Sequence, residues 1–270
     1  MNASFLKSIK SNALVRRVVQ YVLGNRISSR PYKDSPCRIY FPSSKHMNLF
    51  FSRYASMEPV ITDNIRSFVN KDSIVFDIGA NIGYYTLLFS AWANAGKVVA
   101  VEPDPDNIAV LENNIERNQC KNVDLVKKAI SSTDGSASFF QDRNTGRTSS
   151  LVAGAFQPPG MYSSKTISVS TTSIDALCKE YGMPSVIKCD VETAEVEVLK
   201  GASCALRGQP VIMIEVGPNT AAAVRNILLA HDYVLFDAER PFSANAPWSG
   251  PEFPANFLAV AQKRLIKGAL

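Results

Sequence analysis

Val75-Phe76-Asp77-Ile78-Gly79-Ala80-Asn81-Ile82-Gly83-Tyr84-Tyr85-Thr86 is the stretch whose reading decides the fold. A short apolar run meets an acid, enters a glycine-rich turn and continues as a segment of helical composition. Glycine lets a backbone turn tightly and come close to a ligand. A helix that begins at such a turn presents free N–H groups and the positive end of its dipole, which suits a carboxylate or a pyrophosphate.

Two details separate those ligands. Asp77 stands at the strand end, where a carboxylate faces an ammonium group well and repels a pyrophosphate. The spacing is Gly-x-Asn-x-Gly, and dinucleotide sites use Gly-x-Gly-x-x-Gly. S-adenosylmethionine fits better than a dinucleotide on both counts. The next strand, Lys97–Val101, ends at Glu102, 25 residues after Asp77, where an acid accepts both hydroxyls of a ribose. Taken singly, Asp77 reads equally as a helix N-cap and Glu102 as a solvated loop acid. Two acids in register on consecutive strands favour the ligand.

Strands and helices alternate outward from this motif. A helical pattern covers Met57–Val69, and strands are expected at Ser73–Ile78, Lys97–Val101, Asp124–Ala129, Val186–Asp190, Val211–Val216, Tyr233–Phe236 and Phe257–Ala261. Helices are expected at Tyr84–Ala95 and Pro105–Asn118. Strands this apolar, with no polar alternation, suit a mostly parallel sheet covered by helices on both faces, a Rossmann-like α/β fold. Residues 131–172 interrupt the rhythm with a polar insertion near the site, with Phe139-Phe140 and Ile167–Val169 as hairpin strands.

The net charge of +5 is uneven: residues 1–33 carry seven cationic side chains and no acid, which leaves −2 for the rest. The basic excess therefore belongs to a terminal arm, and no nucleic-acid partner is expected. Residues 1–45 read as a basic helical arm and connector, 24–45 being the connector, and 46–270 as the catalytic domain. Residues 1–23 hold two amphipathic faces suited to packing on the body, to peripheral contact with anionic membrane at the inner face, or, third, to a transit-type targeting segment. Five scattered cysteines with no CxxC spacing argue against a disulfide framework and a zinc site and point to a cytoplasmic protein.

VFDIGANIGYYTLLFS, VVAVEPDPDNIAVLENNIERN, IKCDVETAEVEVLKGA and IMIEV together resemble the FkbM family of methyltransferases over roughly residues 57–262. The resemblance implies the class I methyltransferase fold with its seven-stranded sheet. It implies an S-adenosylmethionine-dependent O-methyltransferase acting on hydroxyls of sugars, glycans or polyketides. Asp77, Gly79, Asn81, Gly83 and Glu102 match the family's cofactor positions. Asn114 lies in the helix after the ribose acid, and Lys128-Ala129 falls where the adenine is met. One departure stands out: the family's Asp-Val-Glu-Gly-Ala-Glu is here Asp190-Val191-Glu192-Thr193-Ala194-Glu195. Thr193 either narrows the pocket or serves as an N-cap hydroxyl.

Methyl transfer needs the acceptor oxygen held in line with the methyl group, and a base to take its proton. Asp190 and Glu192, at the end of a central strand, are the first candidates, and Glu215 on the next strand is the third. Carboxylates on neighbouring strand ends also suit a divalent ion, but no metal ligand is assigned. Glu195 reads as a helix N-terminal charge. His46 and His231 rank low as bases, His46 reaching the site only if its loop folds over it. The competing functions are an NAD(P)-dependent oxidoreductase, disfavoured by Asp77, and an inactive binding module, suggested only by Thr193.

Overall fold

The computed structural model describes residues 18–19, 21–24, 26–142, 149–151 and 164–266. Most of the amphipathic arm expected over 1–23 lies outside the described residues. Of the arm's described residues, Val18, Tyr21 and Val22 are exposed. No helix among the described residues is long and apolar enough to cross a membrane.

In chain order the elements are β1 (Ile27–Pro31), β2 (Arg38–Pro42), α1 (Met47–Phe50), α2 (Pro59–Arg66), β3 (Ile74–Ile78), α3 (Tyr84–Trp92), β4 (Lys97–Val101) and α4 (Pro105–Arg117). Next come β5 (Val123–Val126), β6 (Ala129–Ile130), β7 (Gly135–Asp142), β8 (Ser164–Thr172), α5 (Ile174–Tyr181), β9 (Val186–Cys189) and α6 (Glu195–Lys200). The chain continues through α7 (Ser203–Gly208), β10 (Val211–Glu215), α8 (Ala221–Leu229), β11 (Tyr233–Asp237), β12 (Asn256–Ala261) and α9 (Gln262–Ile266).

Seven strands form one sheet in the order β11-β12-β10-β9-β3-β4-β5. Strands β10, β9, β3, β4 and β5 run parallel, and β12 lies antiparallel to both its neighbours. This is the doubly wound, seven-stranded arrangement that the resemblance implies. The chain order reverses between β3 and β9, and ligand crevices open at the carboxyl ends of strands at such a point.

The pleat sorts alternate residues onto opposite faces. Val75, Val98, Val186, Val211 and Met213 pack with α2, α3 and the N-terminal strands. Phe76, Ile78, Val99, Ile187, Ile212 and Ile214 pack with α5, α6, α7 and α8. By the same alternation Asp77, Lys188 and Glu215 belong to the first face, beneath α2 and α3.

Two local expectations change. The strand expected over Asp124–Ala129 divides: Val123–Val126 stays in the main sheet, and Ala129–Ile130 joins a second sheet of order β6-β8-β7. The break is a tight turn in which the Lys128 amide bonds the Val126 carbonyl at 3.0 Å. In that second sheet β7 and β8 pair antiparallel, Phe139 opposite Ile167.

The segment read as a connector contains a β-hairpin, β1 paired antiparallel with β2. Ile39 and Phe41 are fully buried in the first core cluster. Helix α4 holds the outer edge of β2 by two side-chain amides one turn apart. Asn114 bonds both the N–H (2.7 Å) and the carbonyl (2.9 Å) of Tyr40. Asn118 does the same for Arg38, at 2.8 Å each. The two amides thus satisfy an edge strand as a neighbouring strand would. Composition missed the hairpin because each strand is short and ends in proline.

Candidate functional site

The turn after β3 is held from within. Gly79 has φ +77°, and a Cβ there would lie 1.9 Å from the Asp190 carbonyl oxygen. This glycine therefore makes room for the end of β9. Gly83 (φ +94°) caps α3, and a Cβ on it would meet Leu111 Cδ1 of α4 at 2.7 Å. Gly83 makes room for helix packing and does not line the cavity described below. Asn81 takes φ +51°, a left-handed conformation that asparagine tolerates.

The N–H groups of this turn were expected to face a ligand, but those of residues 79–83 are taken up by the protein. Gly79 and Ala80 both donate to the Val101 carbonyl, at 2.9 and 3.0 Å, and Gly83 donates to Ala80 at 2.9 Å. Asn81 donates to Glu102 Oε2 and Ile82 to Asn81 Oδ1, both at 2.8 Å.

Asp77 is fully buried. The Thr86 hydroxyl donates to its Oδ2 at 2.6 Å, and Oδ1 has no hydrogen-bond partner among the described residues. Burial raises its pKa, against the opposing effects of Lys188 and Thr86. Glu102 Oε1 accepts from the Asp104 amide at 2.9 Å. Burial pushes Glu102 up to about 7, although the Asp104 and Asn81 amides pull it down.

A cavity of about 530 Å³ opens above the carboxyl ends of β3, β4, β9 and β10. That is within the range of small-molecule sites. Asp77, Gly79, Asn81, Glu102 and Ala129 line it, and so do Asp190, Glu192 and Glu215. Eight of the expected site residues thus share one cavity. Asn114 does not line it: besides holding Tyr40, its Nδ2 donates to the Ile82 carbonyl at 2.8 Å. Its amide clasps the hairpin to the nucleotide turn, a structural part beside the cofactor role expected for it.

Three features add to the expected site. Lys188, in the otherwise apolar strand VIKC, is buried, and its Nζ donates to Asp190 Oδ2 at 2.9 Å. It also lies 4.9 Å from the centre of the Tyr85 ring, whose hydroxyl donates to Glu58 Oε2 at 2.9 Å. Burial works against the lysine's charge, but Asp190 and Asp77 outweigh it and hold the pKa above the ordinary lysine value. A lone charge inside a buried strand was the signal available in the sequence. Second, residues before β3 build part of the wall: His46, Asn48 and Phe51, with Glu58, face the cavity. The loop carrying His46 does fold over the site, whereas His231 bonds the Ile227 carbonyl at 2.9 Å in the turn after α8. Third, Ser150 docks the polar insertion on the site by donating to the Glu192 carbonyl.

Glu215 is hydrogen-bonded to Asp190, and burial, helped by Asp190 and Glu192, pushes its pKa to about 8. Glu195 is buried, as a helix N-terminal acid bonded to the Thr193 amide at 3.0 Å. Thr193 has φ +65°, the left-handed region where glycine is at ease and a β-branched residue is strained. This accounts for glycine at that position in the resembling family. Thr193 neither lines the cavity nor caps the helix, since the N-cap of α6 is Ala194. Among the described residues no three His, Cys, Asp or Glu side chains converge as a metal-holding group.

Residues 77–235 match the family described as Methyltransferase FkbM domain. A hexuronic acid methyltransferase, AglP, of Haloferax volcanii is 33% identical over 148 residues, covering 54% of this chain and 56% of that protein. A tRNA wybutosine-synthesizing protein 2 homolog of Danio rerio is 33% identical over 117 residues, 43% of this chain and 27% of that protein. The chain thus spans about half the length of the first relative and about a quarter of the second. The crystal structure of M. jannaschii TYW2 in complex with AdoMet aligns with a TM-score of 0.46 at 13% identity, covering 88% of this chain and 86% of that one.

Proposed function

We propose, since this chain belongs to the FkbM family of methyltransferases, that it transfers a methyl group from S-adenosylmethionine to a hydroxyl oxygen of a sugar or glycan. The observation that carries this reading is a single cavity lined by both Asp77 and Glu102 on one side and Asp190 on the other. The residues present fit the cofactor. Asp77 Oδ1 is a buried acceptor without a partner, suited to an ammonium group. Glu102, at the end of the adjacent strand, suits the ribose hydroxyls, and Lys128-Ala129 lies beside it for the adenine. When bound, adenosylmethionine supplies an electrophilic methyl group on a sulfonium.

The protein's own part is to hold the acceptor and take its proton. Asp190, paired with Lys188, accepts the hydroxyl proton as the oxygen attacks. Glu215, on the neighbouring strand, lines the cavity beside it. The cavity wall mixes Glu58, Glu192 and Glu215 with Lys45 and Lys188, so its charge alone does not choose between a neutral sugar and a uronate. The relative named for hexuronic acid supports a sugar acceptor. An oxidoreductase is not favoured, given the family. The inactive-module reading loses its basis with Thr193 outside the cavity.

The test is transfer of labelled methyl groups to neutral sugars, uronates and lipid-linked glycans, with mass spectrometry of the products. Asp190→Asn is expected to lower kcat by about 10²–10⁴-fold, the usual worth of a general base, with cofactor affinity retained. Near-normal kcat in that variant rejects Asp190 as the base.

A further inference from the structure

We infer that Lys188 is a positioning residue that serves both halves of the cavity, neutralising Asp77 on the cofactor side and orienting Asp190 on the acceptor side. The inference rests on the methyl-transfer reading above. Lys188 stands directly across from Asp77 in the register of the parallel strands β3 and β9. Both residues fall on the face covered by α2 and α3. One cation therefore sits between two acids that face different parts of the same cavity, with its Nζ 2.9 Å from Asp190 Oδ2.

Its other surroundings hold it in place. From α3, the Tyr85 ring lies 4.9 Å away, a cation–π contact. From the start of α2, Glu58 contributes attraction and anchors that ring through the Tyr85 hydroxyl. From β10, Glu215 is acted on by both Asp190 and the lysine. Lys188 is 5% exposed and Asp77 fully buried, so this acid cannot exchange its cation for water, whereas Asp190 opens onto the cavity. A buried acid whose cation is removed is left uncompensated, and the loss is carried to whatever that acid does. The flexible stem of lysine reaches this point as a compact charge, whereas the forked guanidinium of arginine demands a different geometry.

Lys188 touches neither methyl donor nor acceptor in this account. Its effect on turnover passes through Asp190, and its effect on cofactor affinity passes through Asp77. That makes coupling the readout. Three variants, Lys188→Met, Asp190→Asn and the double variant, are assayed for kcat, with calorimetric affinity for S-adenosylhomocysteine measured on each and on Asp77→Asn with and without Lys188→Met. Lys188→Met is expected to lower kcat tenfold or more and weaken S-adenosylhomocysteine binding fivefold or more. In the Asp190→Asn background its further loss of kcat should fall below twofold. In the Asp77→Asn background its further loss of affinity should do the same. Lys188→Arg, which keeps the charge, should recover most of the affinity and less of the turnover. This variant decides the matter if Lys188→Met does not fold.

Losses that multiply independently in both double variants, or a Lys188→Arg enzyme that recovers neither quantity while remaining folded, overturn the inference. They leave methyl transfer itself intact. A normal kcat in Asp190→Asn is a different failure, because it removes the proposed base on which the acceptor half of the inference stands.

Discussion

Replacing Gly79 with alanine separates two reasons for a glycine at the nucleotide turn. If the residue is glycine only so that a ligand can approach, the alanine variant loses affinity and keeps most of its stability. The geometry points elsewhere. A Cβ at this position would lie 1.9 Å from the Asp190 carbonyl oxygen, where ordinary contact begins at 3.4 Å. The ends of β3 and β9 must therefore part by roughly 1.5 Å. Forcing a backbone apart in a packed interior costs about 1–3 kcal/mol. Placing alanine at φ +77° adds about 1–2 kcal/mol. The combined loss of about 2–5 kcal/mol, set against an unfolding entropy near 0.6 kcal/mol per kelvin for a chain of 270 residues, lowers Tm by roughly 4–9 °C. Calorimetry of the ligand-free protein measures this directly. Because the displaced group is the backbone of Asp190, kcat should fall along with Tm. A ligand-free Gly79→Ala protein melting within 1 °C of the parent refutes the strand-approach argument.

Asn114→Ala removes three hydrogen bonds, one buried and two part-buried, and should cost about 2–4 kcal/mol in stability, given roughly 1 kcal/mol or more for each group left unpaired. Its effect on cofactor affinity, read by calorimetry well below Tm, should be small; a loss above tenfold would return the residue to the cofactor site. Thr193→Gly relieves a β-branched residue at φ +65° and should raise stability by about 0.5–1 kcal/mol, after the greater chain entropy of glycine is subtracted. A lower Tm in that variant shows that the threonine's contacts outweigh its strain. Glu102 provides a pH test. Its folded pKa, raised from 4.5 to about 7 by burial, means that its stabilising contribution is full below pH 4.5 and is lost as pH rises through about 7. Ligand-free stability should therefore fall by up to about 3 kcal/mol across that window, and Glu102→Gln should flatten the slope whatever its absolute stability. An unchanged slope in urea unfolding from pH 4.5 to 7.5 contradicts the assignment.

The β3 turn and the acid ending β4 were legible in the sequence because strand ends and glycines have few physical explanations. The central sheet followed for the same reason: VFDI, KVVAV, VIKC and VIMIE are too apolar for anything but strands covered on both faces. What escaped was of another kind. Asn114 has the right place in the chain for a cofactor contact, but which backbone groups an amide satisfies depends on a hairpin far away in sequence. Lys188 was overlooked because a single charge in a buried strand acquires meaning only beside Asp77 and Asp190, and strand order is not written locally. The hairpin itself carries just Ile39 and Phe41 as buried signals on β2, too few for a periodicity to stand out.

These misses share a cause that bears on the acceptor. Residues 77–235, the part matched to the family, supply Asp77, Glu102, Lys188, Asp190 and Glu215 to the cavity. The wall opposite them comes from residues 45–58, ahead of that region, including His46, Asn48, Phe51 and Glu58. That wall has no sheet of its own to stiffen it. It is held by the hairpin, by the asparagine pair on α4, and by Tyr32, whose hydroxyl bonds the Tyr84 carbonyl at 2.8 Å at the start of α3. The groups proposed for methyl transfer are thus built on strand ends that the shared fold fixes. The surface an acceptor meets on the other side is clamped to that fold by a few side-chain hydrogen bonds. A segment attached in this way can change its facing residues without disturbing the strand ends, provided the positions bonded to Asn114 and Asn118 remain extended. Similarity over 77–235 therefore speaks to the reaction, and residues 45–58 speak to the substrate.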